Sequence, residues 1–233
     1  MCCMYCQNFS NKKINVFDRL LINCKHANKI FNFQSPIIFL GYFNILLQLI
    51  MLNRYSVVIH PNVSIINRFK LYKNTLFSKI GNYGSRDSMA HITILEFDAT
   101  EKELENIIKK LYKIVQEEIS FDAIFNQVIY SQTILVLPDN DGNEYFKKLL
   151  ETVRARIKGI QNNSIAHLTI GRNLKPEQVA NLQNLFHDAN FNFHCNQLAL
   201  RKFNDNIKQY EIVQIFPFSG NDSKKEIMQL SLF

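Results

Sequence analysis

The chain has 233 residues, 47% of them hydrophobic and 20% charged, with a formal net charge of +7. That length supports a sizeable core in one large domain or two small lobes, and the composition excludes a disordered chain. The basic balance favours anionic partners, but Lys12, Lys13, Arg19, Lys25 and Lys29 face Asp18 alone in residues 1–51, which leaves the rest too mildly basic for a strong non-specific nucleic-acid binder.

Residues 1–51 look foreign to the rest of the chain. Cys2, Cys3, Cys6 and Cys24 cluster there and Cys195 stands alone in the body, so the body has no disulfide framework and suits a reducing, cytoplasmic compartment. Cys3 and Cys6 form a C-x-x-C with no second pair at zinc spacing. Pro36 to Leu52 (PIIFLGYFNILLQLIML) starts too deep for a signal peptide. Asn44 and Gln48 interrupt it, and it falls short of the about 20 residues of a spanning helix. The basic residues before it would also export everything downstream. The reading adopted is that Met51 is the true start, residues 1–51 are extraneous, 52–220 form the functional body and 221–233 a polar tail. A membrane anchor built from 36–52 is the rival.

From Arg54 the pattern becomes orderly. Tyr55–His60 is a β-branched run ended by Pro61 and predicts a strand. Val63–Ile80 carries apolar residues at helical spacing and stops at Gly81. Asn82–Ser88 (NYGSRDS) is a loop by composition and Ala90–Phe97 a strand. Thr100–Ile119 opens with T-E-K-E, a capping-box pattern, and continues as an amphipathic helix. Phe121–Tyr130 and Gln132–Leu137 predict strands, followed by a turn at PDNDG. The order then repeats: helix Glu144–Ile157, loop Gly159–Ser164, strand Ile165–Gly171, helix Lys175–Ala189, and strands Phe191–Phe203 and Gln209–Phe216. Interleaved strands and helices predict an α/β or α+β protein of two similar lobes.

The two loop-to-strand junctions contain the same word. Residues 90–94 are A-H-I-T-I and residues 166–170 are A-H-L-T-I. Of six histidines, only His91 and His167 have a hydroxyl residue two places on. Strand side chains alternate faces, so His91 and Thr93 point one way while Ile92 and Ile94 point to the core; His167 and Thr169 repeat this against Leu168 and Ile170. If an approximate two-fold relates the lobes, the two pairs face each other across a groove. One imidazole then takes a proton from an attacking water or hydroxyl and the other gives one to a leaving oxygen, since histidine titrates near about 6.5. The threonine hydroxyls and nearby backbone N–H groups hydrogen-bond phosphoryl oxygens, and no metal or cofactor is required. One H-x-T is ordinarily a half-buried strand histidine; two in matching contexts argue for function.

These paired motifs resemble the two-histidine phosphoesterase superfamily, which includes the bacterial 2′-5′ RNA ligase-like and cyclic phosphodiesterase families. NRYSVVIHP and KIGNYGSRDSMAHITI look like the bacterial 2′-5′ RNA ligase-like branch, and the likeness runs from about Asn53 to Phe218. It implies an α+β, bilobal fold of two pseudo-symmetric small antiparallel sheets, flanked by helices around a central groove. It also implies metal-independent hydrolysis of 2′,3′-cyclic phosphate RNA ends or 2′-5′ linked nucleotides, with reverse 2′-5′ ligation. His91 and His167 take the acid/base roles and Thr93 and Thr169 the phosphate contacts, without saying which histidine is the base. RNA ends or small nucleotides are the implied partners, with a monomer and no stable protein partner expected. The rival function is a non-catalytic RNA or nucleotide binding module.

Further candidates are weaker. Arg172 either steers a phosphate or ends a strand at the surface. Alternation sends one of Arg201 and Lys202 toward the groove and the other away. Tyr210 or Phe203 can stack on a base, although core packing suits Phe203 better. Tyr83 and Arg86 lie in the loop before His91 and either contact a nucleotide or stay solvated. His60 is taken as structural, and His187, His194 and Cys195 lack a complete zinc spacing.

Overall fold

The computed structural model describes residues 52–160, 164–180, 182 and 184–220, so the expectations for residues 1–51 and 221–233 lie outside the described residues. Eight strands and four helices run in the order β1 (Asn53–Ile59), α1 (Val63–Ile80), β2 (Ile92–Ala99), α2 (Glu101–Glu117), β3 (Phe121–Tyr130), β4 (Ile134–Pro138), α3 (Asn140–Arg156), β5 (Leu168–Gly171), α4 (Pro176–Ala180), β6 (Phe191–Cys195), β7 (Gln197–Asn204) and β8 (Gln209–Pro217). No helix among the described residues is long and apolar enough to cross a membrane.

The strands form two antiparallel four-stranded sheets, ordered β2-β1-β7-β8 and β5-β4-β3-β6. The protein is therefore α+β and bilobal. β1-α1-β2 and β4-α3-β5 occupy equivalent places, so each H-x-T strand lies at the end of its sheet beside the first strand of its own half. The halves are exchanged, however. β3 leaves the first half to pair with β4, and β7 returns to pair with β1, so each sheet draws strands from both halves.

Helix ends obey local chemistry. Asn62 Oδ1 accepts from Ile65 N at 3.0 Å to start α1, and Gly81, at φ 77°, ends it. Both arms of the Thr100–Glu103 capping box are present on α2. PDNDG is not a free turn: Asp139 Oδ1 accepts from Gly142 N at 2.8 Å and caps α3, which starts at Asn140. The expected helix 175–189 shrinks to Pro176–Ala180, and Asn184 takes a left-handed φ of 68° that a helix excludes. The expected strand 191–203 breaks at Asn196, where the chain passes from one sheet to the other.

Behind the second sheet, Phe125 of β3 and Phe193 of β6 pack on Phe146 of α3 and Phe191 of β6 stacks on Phe125, with ring centroids 5.5–6.0 Å apart. Cys195 faces this core and burial pushes its thiol well up, whereas the neighbouring His194 points the other way to Asp122 Oδ1 at 2.9 Å.

Candidate active site

The motif histidines sit one residue before β2 and one before β5. Ile92, Ile94, Leu168 and Ile170 are fully buried while both histidines and both threonines are half-buried, as strand alternation requires. His91, Thr93, His167, Thr169 and Arg172, with Ser131 and Thr133 of the β3–β4 turn, line one cleft of about 440 Å³. A larger hollow of about 980 Å³ lies between α3 and residues 157–160 and 164–166 and touches neither histidine.

Both rings are held in the same way. His91 Nδ1 is 2.6 Å from the carbonyl of Met89 and His167 Nδ1 is 2.8 Å from that of Ile165, two residues back in each case. A carbonyl only accepts, so each Nδ1 carries the hydrogen and each Nε2 is left for the cleft. Burial pushes the His91 imidazolium down to about 3, and the cations Arg201, Arg172 and Lys73 add to this against the opposing bond to Met89. His91 is neutral at neutral pH.

Reciprocal bonds brace the two motifs. The loop before His91 grips the strand after His167: Ser85 Oγ accepts from Arg172 N at 2.9 Å, and Tyr83 donates to the Ile170 carbonyl at 3.4 Å. The segment before His167 grips the strand of His91: Ile160 N donates to the Glu96 carbonyl at 2.7 Å. Arg154 of α3 joins the same pair of elements, donating through Nε to the Ile94 carbonyl at 2.9 Å and through its terminal nitrogen to that of Ser164 at 3.2 Å. The close approach needs Gly159, where an added Cβ would stand 2.6 Å from the Glu96 carbonyl oxygen. Gly159→Ala is expected to lower stability by about 1–3 kcal/mol through overpacking and to loosen the second motif. Urea unfolding and activity measured on one preparation check it; an unchanged midpoint refutes the packing argument.

Lys73 is the residue sequence reasoning missed. It is 4% exposed, and its Nζ donates to the Ser85 carbonyl at 2.8 Å, the Ser88 carbonyl at 2.5 Å and Ser88 Oγ at 2.7 Å. Its signal was legible, because Ile65, Phe69, Lys73 and Leu76 share the buried stripe of α1. Ser85, Ser88, Ser131 and Thr133 had no such signal, being small hydroxyl residues in loops.

The structure separates the weaker candidates. Arg172 lines the cleft. Tyr83 does not: its ring is buried and its hydroxyl donates to the carbonyls of Lys73 and Ile170, which makes it a brace. Arg86 turns away to lie 3.5 Å from the centroid of the Phe77 ring, in a separate hollow beside α1. Tyr210 packs on Phe203 and under Arg201, outside the cleft. Arg201 and Lys202 split as alternation requires: Arg201 pairs in register with Ser56 and bonds its hydroxyl, and Lys202 reaches Glu101 on the opposite face.

Comparison with known proteins adds the family. A model of the 2′-5′ RNA ligase superfamily matches residues 62–206, well over half of the chain. No curated protein matches at the level of sequence. Among solved structures, Escherichia coli LigT with bound 3′-AMP superposes with a TM-score of 0.55 at 13% identity, covering 72% of this chain and 99% of that one. The same protein with phosphate gives 0.52 at 10% identity over 72% and 98%. A Thermus thermophilus protein gives 0.54 at 16% over 72% and 98%. Such identities establish a shared fold, and the extent of the family match establishes descent: this chain belongs to the 2′-5′ RNA ligase superfamily of two-histidine phosphoesterases.

Proposed function

We propose that the chain is a metal-independent phosphodiesterase acting on 2′,3′-cyclic phosphate RNA ends or 2′-5′ linked nucleotides, and that it runs in reverse as a 2′-5′ ligase. The observation that carries this is the pair of imidazoles lining one cleft, each tied back through Nδ1, with a threonine hydroxyl beside each. LigT structures with phosphate and 3′-AMP support a small nucleotide or RNA end as the ligand. A reducing compartment such as the cytoplasm suits the body, whose one described cysteine is a buried thiol.

In this reading His91, held neutral by its surroundings, is the base. Its Nε2 takes a proton from water as the water oxygen bonds to phosphorus, the bond from phosphorus to the ribose oxygen breaks, and protonated His167 gives its Nε2 proton to that oxygen. Thr93, Thr169 and Arg172 hold the phosphoryl oxygens. Exchange of one proton with solvent restores both rings.

The test is hydrolysis of 2′,3′-cyclic nucleotides in EDTA, with products identified by phosphorus NMR. Turnover is expected to survive the chelator, and complete loss in EDTA refutes the metal-free reading. The pH profile probes the assignment of the base. A base fails only as pH falls through its pKa, so a depressed His91 places the acid limb of kcat/KM well below the ordinary imidazole value of about 6.5. Bound phosphate offsets the surrounding cations, so the acid limb of kcat lies at higher pH than that of kcat/KM. An acid limb of kcat/KM at about 6.5, with chemistry limiting, refutes His91 as the base.

A further inference from the structure

Among the described residues Arg201 is a buried cation outside every ion pair. It is 6% exposed, and its register with Ser56 puts it on the same face of the first sheet as Val58 and Thr93. Its Nε donates to Ser56 Oγ at 3.1 Å, its one side-chain hydrogen bond among the described residues, and its guanidinium lies 4.8 Å from the Tyr210 ring centroid. Among the described residues no carboxylate comes within ion-pair distance of it. Glu96, whose charge acts on it, is paired with Ser56 from the opposite side of β1. Arg172, His91 and His60, which directly follows β1, also feel its charge or act on it. A desolvated, unpaired guanidinium is costly, and well-packed apolar residues ordinarily serve as well or better in such a place. Ser56 and Tyr210 fix its plane while its two terminal nitrogens stay free to grip an anion in a forked arrangement.

Arg201 does not line the cleft between the histidines. It stands on β7, two strands from Thr93 on β2, a span of roughly 10 Å across the sheet. The anion it awaits is therefore a neighbour of the reacting phosphate. We propose that Arg201 anchors a second phosphate subsite beside the cleft, which selects oligonucleotides or 5′-phosphorylated nucleotides over nucleoside cyclic monophosphates. The choice of substrate rests on the phosphodiesterase reading above; the anion subsite does not.

The experiment compares adenosine 2′,3′-cyclic phosphate with and without a 5′-phosphate, on the wild type, Arg201→Met and Arg201→Lys. In the wild type the extra phosphate is expected to raise kcat/KM by about 10- to 100-fold, the worth of a charge-assisted hydrogen bond or two. Arg201→Met collapses that preference to near one, and Arg201→Lys, a point charge without the fork, keeps only part of it. A wild type with no preference, or a preference unchanged in both variants, overturns the proposal. If neither compound is turned over, the phosphodiesterase reading fails by itself, and calorimetry with 5′-AMP and adenosine then decides the subsite. Binding at least tenfold tighter for 5′-AMP, lost in Arg201→Met, upholds it; equal binding overturns it. If Arg201→Met fails to fold, Arg201→Lys carries the same comparisons.

Discussion

Replacing His91 or His167 by alanine is expected to lower kcat for a 2′,3′-cyclic nucleotide by about 10²–10⁴-fold in each case, the range of positioned acid/base catalysis. In the proposed mechanism each ring serves one proton transfer and the step needs both, so the double variant should fall little further than the worse single one. The fold should survive. Both side chains are half-buried on the cleft face, and the anchors of the two strands, Ile92, Ile94, Leu168 and Ile170, are untouched. Unfolding midpoints near that of wild type, with activity lost, are the expected result. Two single variants with full activity would remove these imidazoles from the chemistry.

Lys73→Met is expected to be the most damaging change outside the cleft. It leaves the Ser88 carbonyl without its buried donor and the Ser85 carbonyl with only Ser88 Oγ, at 2.8 Å, and Ser88 N, at 3.3 Å. An orphaned buried acceptor costs about 1–3 kcal/mol, and loss of the charge-assisted bonds brings the expected destabilisation to about 2–4 kcal/mol. The effect reaches the site, because the loop so held supplies the Met89 carbonyl that fixes the His91 tautomer and the Ser85 hydroxyl that holds Arg172 N. A drop in kcat/KM of more than about tenfold and faster amide exchange over residues 83–90 are the readouts. An unchanged urea midpoint with unchanged exchange would show that the loop stands without its lysine.

The bracing has a mechanical meaning. Each motif is held by the segment that precedes the other, through Ser85 and Arg172 on one side and Ile160 and Glu96 on the other. Arg154 of α3 touches both. Displacing either segment should therefore disturb both imidazoles.

The local features are legible in the sequence alone. Period-2 and period-3.6 patterns located α1 and β3 to the residue, the T-E-K-E word marked the capping box, and the twin A-H-x-T-I words marked both cleft walls. All of these are contests among neighbours in the chain, decided by side-chain alternation, capping and propensity. The tertiary structure alone decided what depends on residues far apart. Phe191–Phe203 looks like one strand because both of its halves alternate correctly, and only the demand of two sheets for a partner splits it at Asn196. Tyr83 and Arg86 look like open loop residues until burial against Lys73 and the Phe77 ring claims them. The low His91 pKa arises first from burial and then from charges on α1, on β7 and just past β5, which meet only when the exchanged halves close around the cleft.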